Sequence, residues 1–152
     1  MDFRIRLPLL LALMSLPASL HANAGSDIAV IVHPSSPVKS MSRTDLRPIF
    51  QTNKTDWDHG GKVFPINLPE GDTSRKGFDA AVLGLDPDRV ARYWIDRKIR
   101  GGARPPKKVS SVALVLAVVS KKPEAIGYVP GDNVNKNVKV VARIRGGQVV
   151  AP

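Results

Sequence analysis

The stretch from Glu70 to Arg75 holds groups that can bind a small anion. It separates an apolar run that predicts a strand from a run that predicts a helix. The first amides of a helix have no intrahelical acceptor and carry partial positive charge, so they attract anions. The hydroxyls of Thr73 and Ser74 add donors, and the Arg75 guanidinium can bind an oxyanion through two N–H groups. We therefore expect oxyanion binding at Asp72, Thr73, Ser74 and Arg75; an ordinary capped helix start is the alternative.

A second pair of hydroxyls, Ser35 and Ser36, follows the first predicted strand. Ligands of open α/β sheets bind beyond the carboxyl ends of the strands. Because both stretches follow strands, we expect both to lie at that position. The alternative is that Ser35 and Ser36 are loop residues.

Groups for catalysis or metal binding are scarce in this chain. It has no Cys, which excludes disulfides, Cys-ligated zinc, iron–sulfur clusters and thiol catalysis. It also lacks the nucleophile-elbow, Walker and dinucleotide-binding motifs. Asp56, Asp58 and His59 lie close in sequence, but their spacing is that of a solvated turn. The sequence predicts no enzyme, no metal site and no cofactor.

Alternating strand and helix patterns predict an α/β fold, in which helices flank a mixed sheet. The run 28–32 is continuously apolar and β-branched, as in a strand that is buried on both faces. Ser42 and Asp45 form a capping-box pattern for a short helix that ends at Phe50. Residues 112–119 are uniformly apolar, so a helix is favoured but a buried strand stays open. The remaining predicted strands are 63–68, 125–129 and 138–144; the remaining helices run from 73 to about 85 and onward from Pro87.

The chain divides into three predicted parts. Arg4 and Arg6, the apolar run 9–20 and the Ala22-Asn23-Ala24 pattern predict a secretory signal peptide over 1–24, cleaved after Ala24. An uncleaved N-terminal anchor is the alternative. The run is too short for a membrane span, so no transmembrane segment is expected after cleavage. Residues 25–145 form the predicted domain, and 146–152 a flexible tail.

The net charge of +10 is concentrated near the C-terminus. Residues 97–152 contain 12 Lys and Arg against Glu124 and Asp132, whereas residues 1–96 are balanced. Nucleic acid, an anionic membrane surface or a small anion would each suit this excess. Export and the low aromatic content argue against nucleic acid. The candidate ligand loops lie outside the basic segment.

Four stretches resemble the small single-lobe members of the phosphate ABC transporter substrate-binding family, which has a type II periplasmic-binding-protein-like fold. The family pattern Pro-Gly-Ala-Ile-Gly-Tyr-Val is the most specific and is matched by 121–129. In chain order, the stretches are IAVIVHPSSPV, LRPIFQTNKTDW, VFPINLPEGDTSRKGFDAAVLG with the later Tyr93-Trp94, and KKPEAIGYV.

The resemblance implies oxyanion binding by backbone amides and hydroxyls in the first loop and at the helix start. Ser35 and Ser36 fall in that loop, and Asp72, Thr73 and Ser74 fall where the family has Ser-Gly-Thr. Phe78 matches the helix Phe that follows this motif. The arginine that precedes the motif in the family is replaced here at about Asn67, and Arg75 is the cation that would replace it. Gly127 and Tyr128 are expected to be structural.

The sequence therefore predicts a periplasmic protein that binds phosphate or a similar oxyanion in phosphate ABC transport or sensing. Its expected partner is an ABC transporter or another envelope protein. The alternative is a non-transport interaction module whose basic face binds an acidic partner or the envelope surface. That face would include Lys107, Lys108, Lys121 and Lys122.

Overall fold

Strands and helices alternate along residues 27–152, the part of the chain that the computed structural model describes. The predicted signal peptide and its cleavage site lie outside these residues. The strands are β1 (Ile28–Val32), β2 (Phe64–Asn67), β3 (Lys107–Lys108), β4 (Ala125–Pro130), β5 (Lys139–Arg145) and β6 (Gln148–Val150). The helices are α1 (Arg43–Phe50), α2 (Thr73–Phe78), α3 (Pro87–Ile99) and α4 (Val112–Lys121). A π-helical segment, Asp79–Leu83, continues α2, and Gly131–Asn133 form a 3₁₀ turn.

The apolar run 28–32 forms an inner strand of one six-stranded sheet. The strand order is β3-β2-β4-β1-β5-β6. β1 pairs antiparallel with both β4 and β5, and β2 pairs parallel with β4 and β3. All five residues of β1 are buried, because helices cover both faces of the sheet. The predicted α/β fold with a mixed sheet is confirmed.

Two neighbouring residues of β4 show how the helices are placed on the sheet. Successive strand residues point to opposite faces. The ring of Tyr128 stacks on Phe78 of α2, with centroids 3.9 Å apart. Gly127 faces α4, and a Cβ atom added there would lie 2.8 Å from Cγ1 of Val115. α2 and α4 therefore lie on opposite faces.

The helices begin where capping side chains predict. Ser42 accepts a hydrogen bond from the Asp45 amide, and Asp45 accepts one from the Ser42 amide, so the capping box is present. Asp86 caps α3 with Pro87 in its first turn. Ser111 caps α4, so residues 112–119 are helical and not a strand. No helix within 27–152 has both the length and the apolar content needed to cross a bilayer.

The prediction of a flexible tail from residue 146 is wrong for most of that segment. Gln148–Val150 pair antiparallel with β5 as strand β6. Gly146 and Gly147 both have positive φ angles, 56° and 74°. Two consecutive residues of this kind form the tight turn that suits a twisted hairpin. The sheet thus extends beyond the predicted domain end at residue 145.

Candidate functional site

The start of α2 presents two backbone amides without a protein acceptor. Asp72 is the N-cap residue, and its Oδ1 atom accepts a hydrogen bond of 3.1 Å from the Arg75 amide. Among residues 27–152, no acceptor bonds the amides of Thr73 and Ser74. The Thr73 side chain is exposed, whereas Ser74 is buried. Thr73 can therefore offer both an amide and a hydroxyl to an anion from solution.

Arg75 lies below this helix start and not at its surface. Its residue exposure is 5%, its Nε donates to Asp79 Oδ2 at 2.7 Å, and an Nη1 hydrogen bonds the Leu68 carbonyl at 2.8 Å. Burial raises the pKa of the Asp79 carboxyl, although the Arg75 charge opposes that shift. The expected role of Arg75 as an open cation is therefore corrected, because a carboxylate balances its charge. The i,i+4 spacing of Arg75 and Asp79 was the available signal for this pair.

Ser35 and Ser36 lie at the other end of the sheet from the start of α2. β1 runs antiparallel to β4, whereas β2 runs parallel to it, so β1 and β2 end at opposite edges. Ser35 bonds Nδ1 of His33 at 2.7 Å, and Ser36 Oγ accepts from the Val38 amide at 3.3 Å. The structure brings Asp72, Thr73, Ser74 and Arg75 together, but it does not bring Ser35 and Ser36 to them. The expectation of a shared edge assumed parallel strands and is wrong.

A cleft of about 480 Å³ opens beside α2. Of the six residues predicted to bind an oxyanion, only Arg75 lines it. Most of the wall is apolar, with Trp94 of α3 as its largest side chain. The residues lining it are Asn67, Glu70, Arg75, Lys76, Asp79, Pro87, Val90, Ala91, Trp94, Pro105, Pro106 and Lys108. Sequence reasoning missed the cleft because α3 and the loop 101–106 approach α2 only in three dimensions.

Asn67 lies buried at the carboxyl end of β2. The Tyr128 hydroxyl donates to Asn67 Oδ1 at 3.1 Å and accepts from the Leu68 amide at 3.4 Å. Burial raises the pKa of this hydroxyl, so it keeps its proton and donates. The sequence pointed to this position because the resembled family has an arginine at about Asn67.

Glu70 and Lys108 form an ion pair at the border of the cleft. Lys108 Nζ lies 3.0 Å from Glu70 Oε2. The pKa of the Glu70 carboxyl is lowered mainly by a hydrogen bond from the backbone of Glu70 itself. The hydrogen bond from Lys108 is the second cause. Lys108 belongs to the basic segment 97–152, so part of the excess charge reaches the candidate site.

The acidic and histidine side chains at 56, 58 and 59 make only local contacts among the described residues. Asp56 pairs with Lys62 and Asp58 with Lys54, while His59 stacks on Trp57. Within 27–152 no three His, Asp or Glu residues are grouped as metal ligands.

The four lysines of the predicted basic face lie on two elements, β3 and the C-terminal end of α4. Lys107 and Lys108 form β3, in which Lys108 lies beside Asn67, the last residue of β2, in the strand register. Lys121 and Lys122 end α4, where Lys122 Nζ lies 4.7 Å from the ring of Phe64 at the start of β2.

Known structures share this arrangement of strands and helices. An ABC-type phosphate transport receptor from Vibrio cholerae superposes with a TM-score of 0.62 at 18% identity, over 78% of this chain and 47% of that one. A putative phosphate ABC transporter substrate-binding protein from Clostridium perfringens, solved with bound phosphate, gives 0.62 at 20% identity, over 78% and 46%. The chain has the fold of about half of a phosphate transport receptor. PstS from Borrelia burgdorferi agrees, with a TM-score of 0.57 at 16% identity, over 76% and 47%.

The resemblance seen in the sequence is confirmed at the level of fold. The chain spans just under half the length of each of these receptors. No family model and no curated protein matches the chain. The neighbours are described as receptors and binding proteins, not as enzymes.

Proposed function

We propose that this protein binds phosphate or a similar oxyanion at the start of α2, as a substrate-binding-like component of phosphate transport or sensing. One observation carries the proposal: the amides of Thr73 and Ser74 lack protein acceptors within 27–152, in a chain with the receptor fold. The helical segment behind them runs without a break from 73 to 83. Its dipole favours negative charge at that end.

The binding is expected to be weak. Arg75 is neutralised by Asp79, and the carboxylates of Glu70 and Asp72 lie near the same helix start. With Thr73 exposed, the anion stays partly in water, where each contact is screened. We therefore expect affinity of about millimolar order, or roughly −4 kcal/mol.

A substitution of Thr73 separates the helix start from other anion sites. Thr73→Pro removes both the amide hydrogen and the hydroxyl, and proline is well tolerated at the first helical position. The preceding residue, Asp72, already has φ −68° and ψ 136°, which a following proline permits. Thr73→Ser keeps both donors and is the matched control.

Thermal unfolding in phosphate gives the test. At a phosphate concentration of about ten times Kd, binding adds roughly 1.4 kcal/mol to the free energy of unfolding. The melting temperature of the parent and of Thr73→Ser should then rise by a few degrees, while that of Thr73→Pro stays unchanged. No rise in the parent contradicts the function, and an equal rise in Thr73→Pro contradicts the site.

Residues 1–24 support the proposal that the protein is exported to the periplasm. A positive start, an apolar run and the Ala22-Asn23-Ala24 pattern suit a cleavable signal. Cell fractionation checks this: a periplasmic protein whose N-terminus is Gly25 is the expected product. Retention in the cytoplasm at full length would contradict it.

An exposed apolar ridge on α3 favours a second candidate, an interaction module for an acidic protein partner. Ile95 and Ile99 are 56% and 78% exposed and lie one turn apart. Residues 92–104 contain five basic side chains (Arg92, Arg97, Lys98, Arg100 and Arg104) against one carboxylate, Asp96. A second copy would bring like charges together, so the charge favours a partner with acidic and apolar side chains.

A glutamate-rich peptide that contains leucines is the probe for this ridge. It should bind more weakly as salt rises and after the double change Ile95→Ser and Ile99→Ser. Leu114→Ser, which alters an exposed apolar residue on α4, is the matched control. If the affinity for the peptide changes neither with salt nor with the double substitution, the ridge is not the binding surface.

A further inference from the structure

We propose that the cleft between α2 and α3 binds an organic oxyanion, in which a carboxylate or phosphate group is carried on an apolar body. This site is separate from the helix start, because Asp72, Thr73 and Ser74 do not line the cleft. The inference therefore does not depend on phosphate binding at Thr73.

The size of the cleft points to a ligand larger than an inorganic ion. Its volume of about 480 Å³ falls in the range of roughly 300–1,000 Å³ that small-molecule sites occupy. A tetrahedral oxyanion of five heavy atoms would leave most of this space to water.

The walls of the cleft suit an apolar ligand body. Val90, Ala91 and Trp94 of α3 line it together with the two prolines Pro105 and Pro106. Val90 and Pro106 are buried, so these walls are held by the rest of the structure. Apolar walls with a few placed polar groups are the usual make-up of a small-molecule site.

Two side chains with little exposed surface, Asn67 and Arg75, supply the polar groups. Asn67 is 5% exposed, and its Oδ1 atom is occupied by the Tyr128 hydroxyl. Within the described part of the chain, no acceptor bonds Asn67 Nδ2 or Arg75 Nη2. Both residues line the cleft, so these N–H groups can meet a ligand oxygen there. Neither nitrogen is among the buried side-chain atoms that lack a partner, so both stay open to solvent and a bound oxyanion can reach them.

The charge of the lining leaves one cationic group for an anionic ligand. Arg75 pairs with Asp79, and Lys108 pairs with Glu70. Lys76 has no carboxylate within 4.0 Å among residues 27–152. It is exposed and lines the cleft, so one cationic group is left for the ligand.

Calorimetric titration with four small molecules tests the ligand class. Phenyl phosphate and benzoate carry the two head groups on the same ring, inorganic phosphate lacks the ring, and benzyl alcohol lacks the charge. We expect at least one of the two aryl anions to bind about tenfold or more tightly than inorganic phosphate and benzyl alcohol. If only one aryl anion binds, its head group identifies the ligand type within the proposed class.

Two matched variants locate the binding. Ala91→Trp fills the cleft from the exposed side of α3, and Ala113→Trp adds the same bulk at an exposed position of α4. The expected result is about a tenfold loss of aryl-anion affinity in Ala91→Trp only, with melting temperatures of both variants near that of the parent.

Three results would overturn the proposal: neither aryl anion binding more tightly than inorganic phosphate, benzyl alcohol binding as tightly as the aryl anions, or full aryl-anion affinity in Ala91→Trp. Aryl-anion binding that is lost in Ala91→Trp but kept in Thr73→Pro would support the cleft even if the helix start binds no phosphate. Phosphate binding without any preference for a ring would contradict the proposed cleft ligand. It would leave the proposed phosphate site at the start of α2 unaffected.

Discussion

Single side chains set the distance between the sheet and its helices. Gly127 lets α4 approach β4, since Val115 and Val119 occupy the space that a side chain would fill. On the opposite face, Tyr128 stacks on Phe78 and bonds Asn67 beside the cleft. The packing of β4 thus fixes both a helix layer and the polar floor of the cleft.

Gly127→Ala is expected to destabilise the protein. Its Cβ would lie 2.8 Å from Cγ1 of Val115, a β-branched side chain in a packed helix. Overpacking of this kind costs about 1–3 kcal/mol, which urea unfolding would show as a lower midpoint.

Gly71→Ala is the control, because a Cβ atom added at Gly71 would have no heavy atom within 4 Å and the φ angle there is not positive. A change of no more than about 0.5 kcal/mol is expected there. Equal effects of the two substitutions would contradict the assigned contact between Gly127 and Val115.

The helices and strands were largely predictable because their signals are local. Ser42, Asp86 and Ser111 each cap a helix, and a capping side chain acts within three residues of itself. Strand direction is not local, because it depends on which strands pair. For this reason the sequence predicted β1 and β2 correctly, yet placed Ser35 at the same edge as Thr73. The cleft could not be predicted for the same reason, because its walls come from segments that are distant in the chain.

The capping box of α1 gives a pH-dependent prediction. Hydrogen bonds from the Ser42 side chain and backbone lower the pKa of Asp45. The folded state therefore binds fewer protons than the unfolded state near that pKa, and stability rises with pH there. This contribution is present above the unfolded pKa of about 3.9 and is lost as pH falls through the folded value.

Asp45→Asn should lower the free energy of unfolding by about 0.5 kcal/mol at neutral pH. The difference from the parent should shrink as the pH falls below about 4, where the parent carboxyl becomes protonated. Denaturant unfolding at several pH values measures it. A difference that is constant with pH would show that packing, not the carboxylate, accounts for the effect.

At the scale of the whole molecule, charge and chain length decide what the site can do. The excess of Lys and Arg in residues 97–152 contributes Lys108 to the cleft, so the basic segment and the candidate site meet. The chain matches about half the length of the phosphate receptors with which it shares a fold. In our proposal an anion would lie at Thr73, which is exposed at the start of α2. Weak binding is the expectation that this exposure supports.

Calorimetric titration of the purified protein with phosphate, at constant ionic strength and with sulfate as the control, tests the central claim most directly. The account predicts saturable phosphate binding at one site with a Kd of about millimolar order, weaker binding of sulfate, and loss of the phosphate signal in Thr73→Pro. No saturable heat with phosphate up to roughly 10 mM would contradict oxyanion binding at the start of α2.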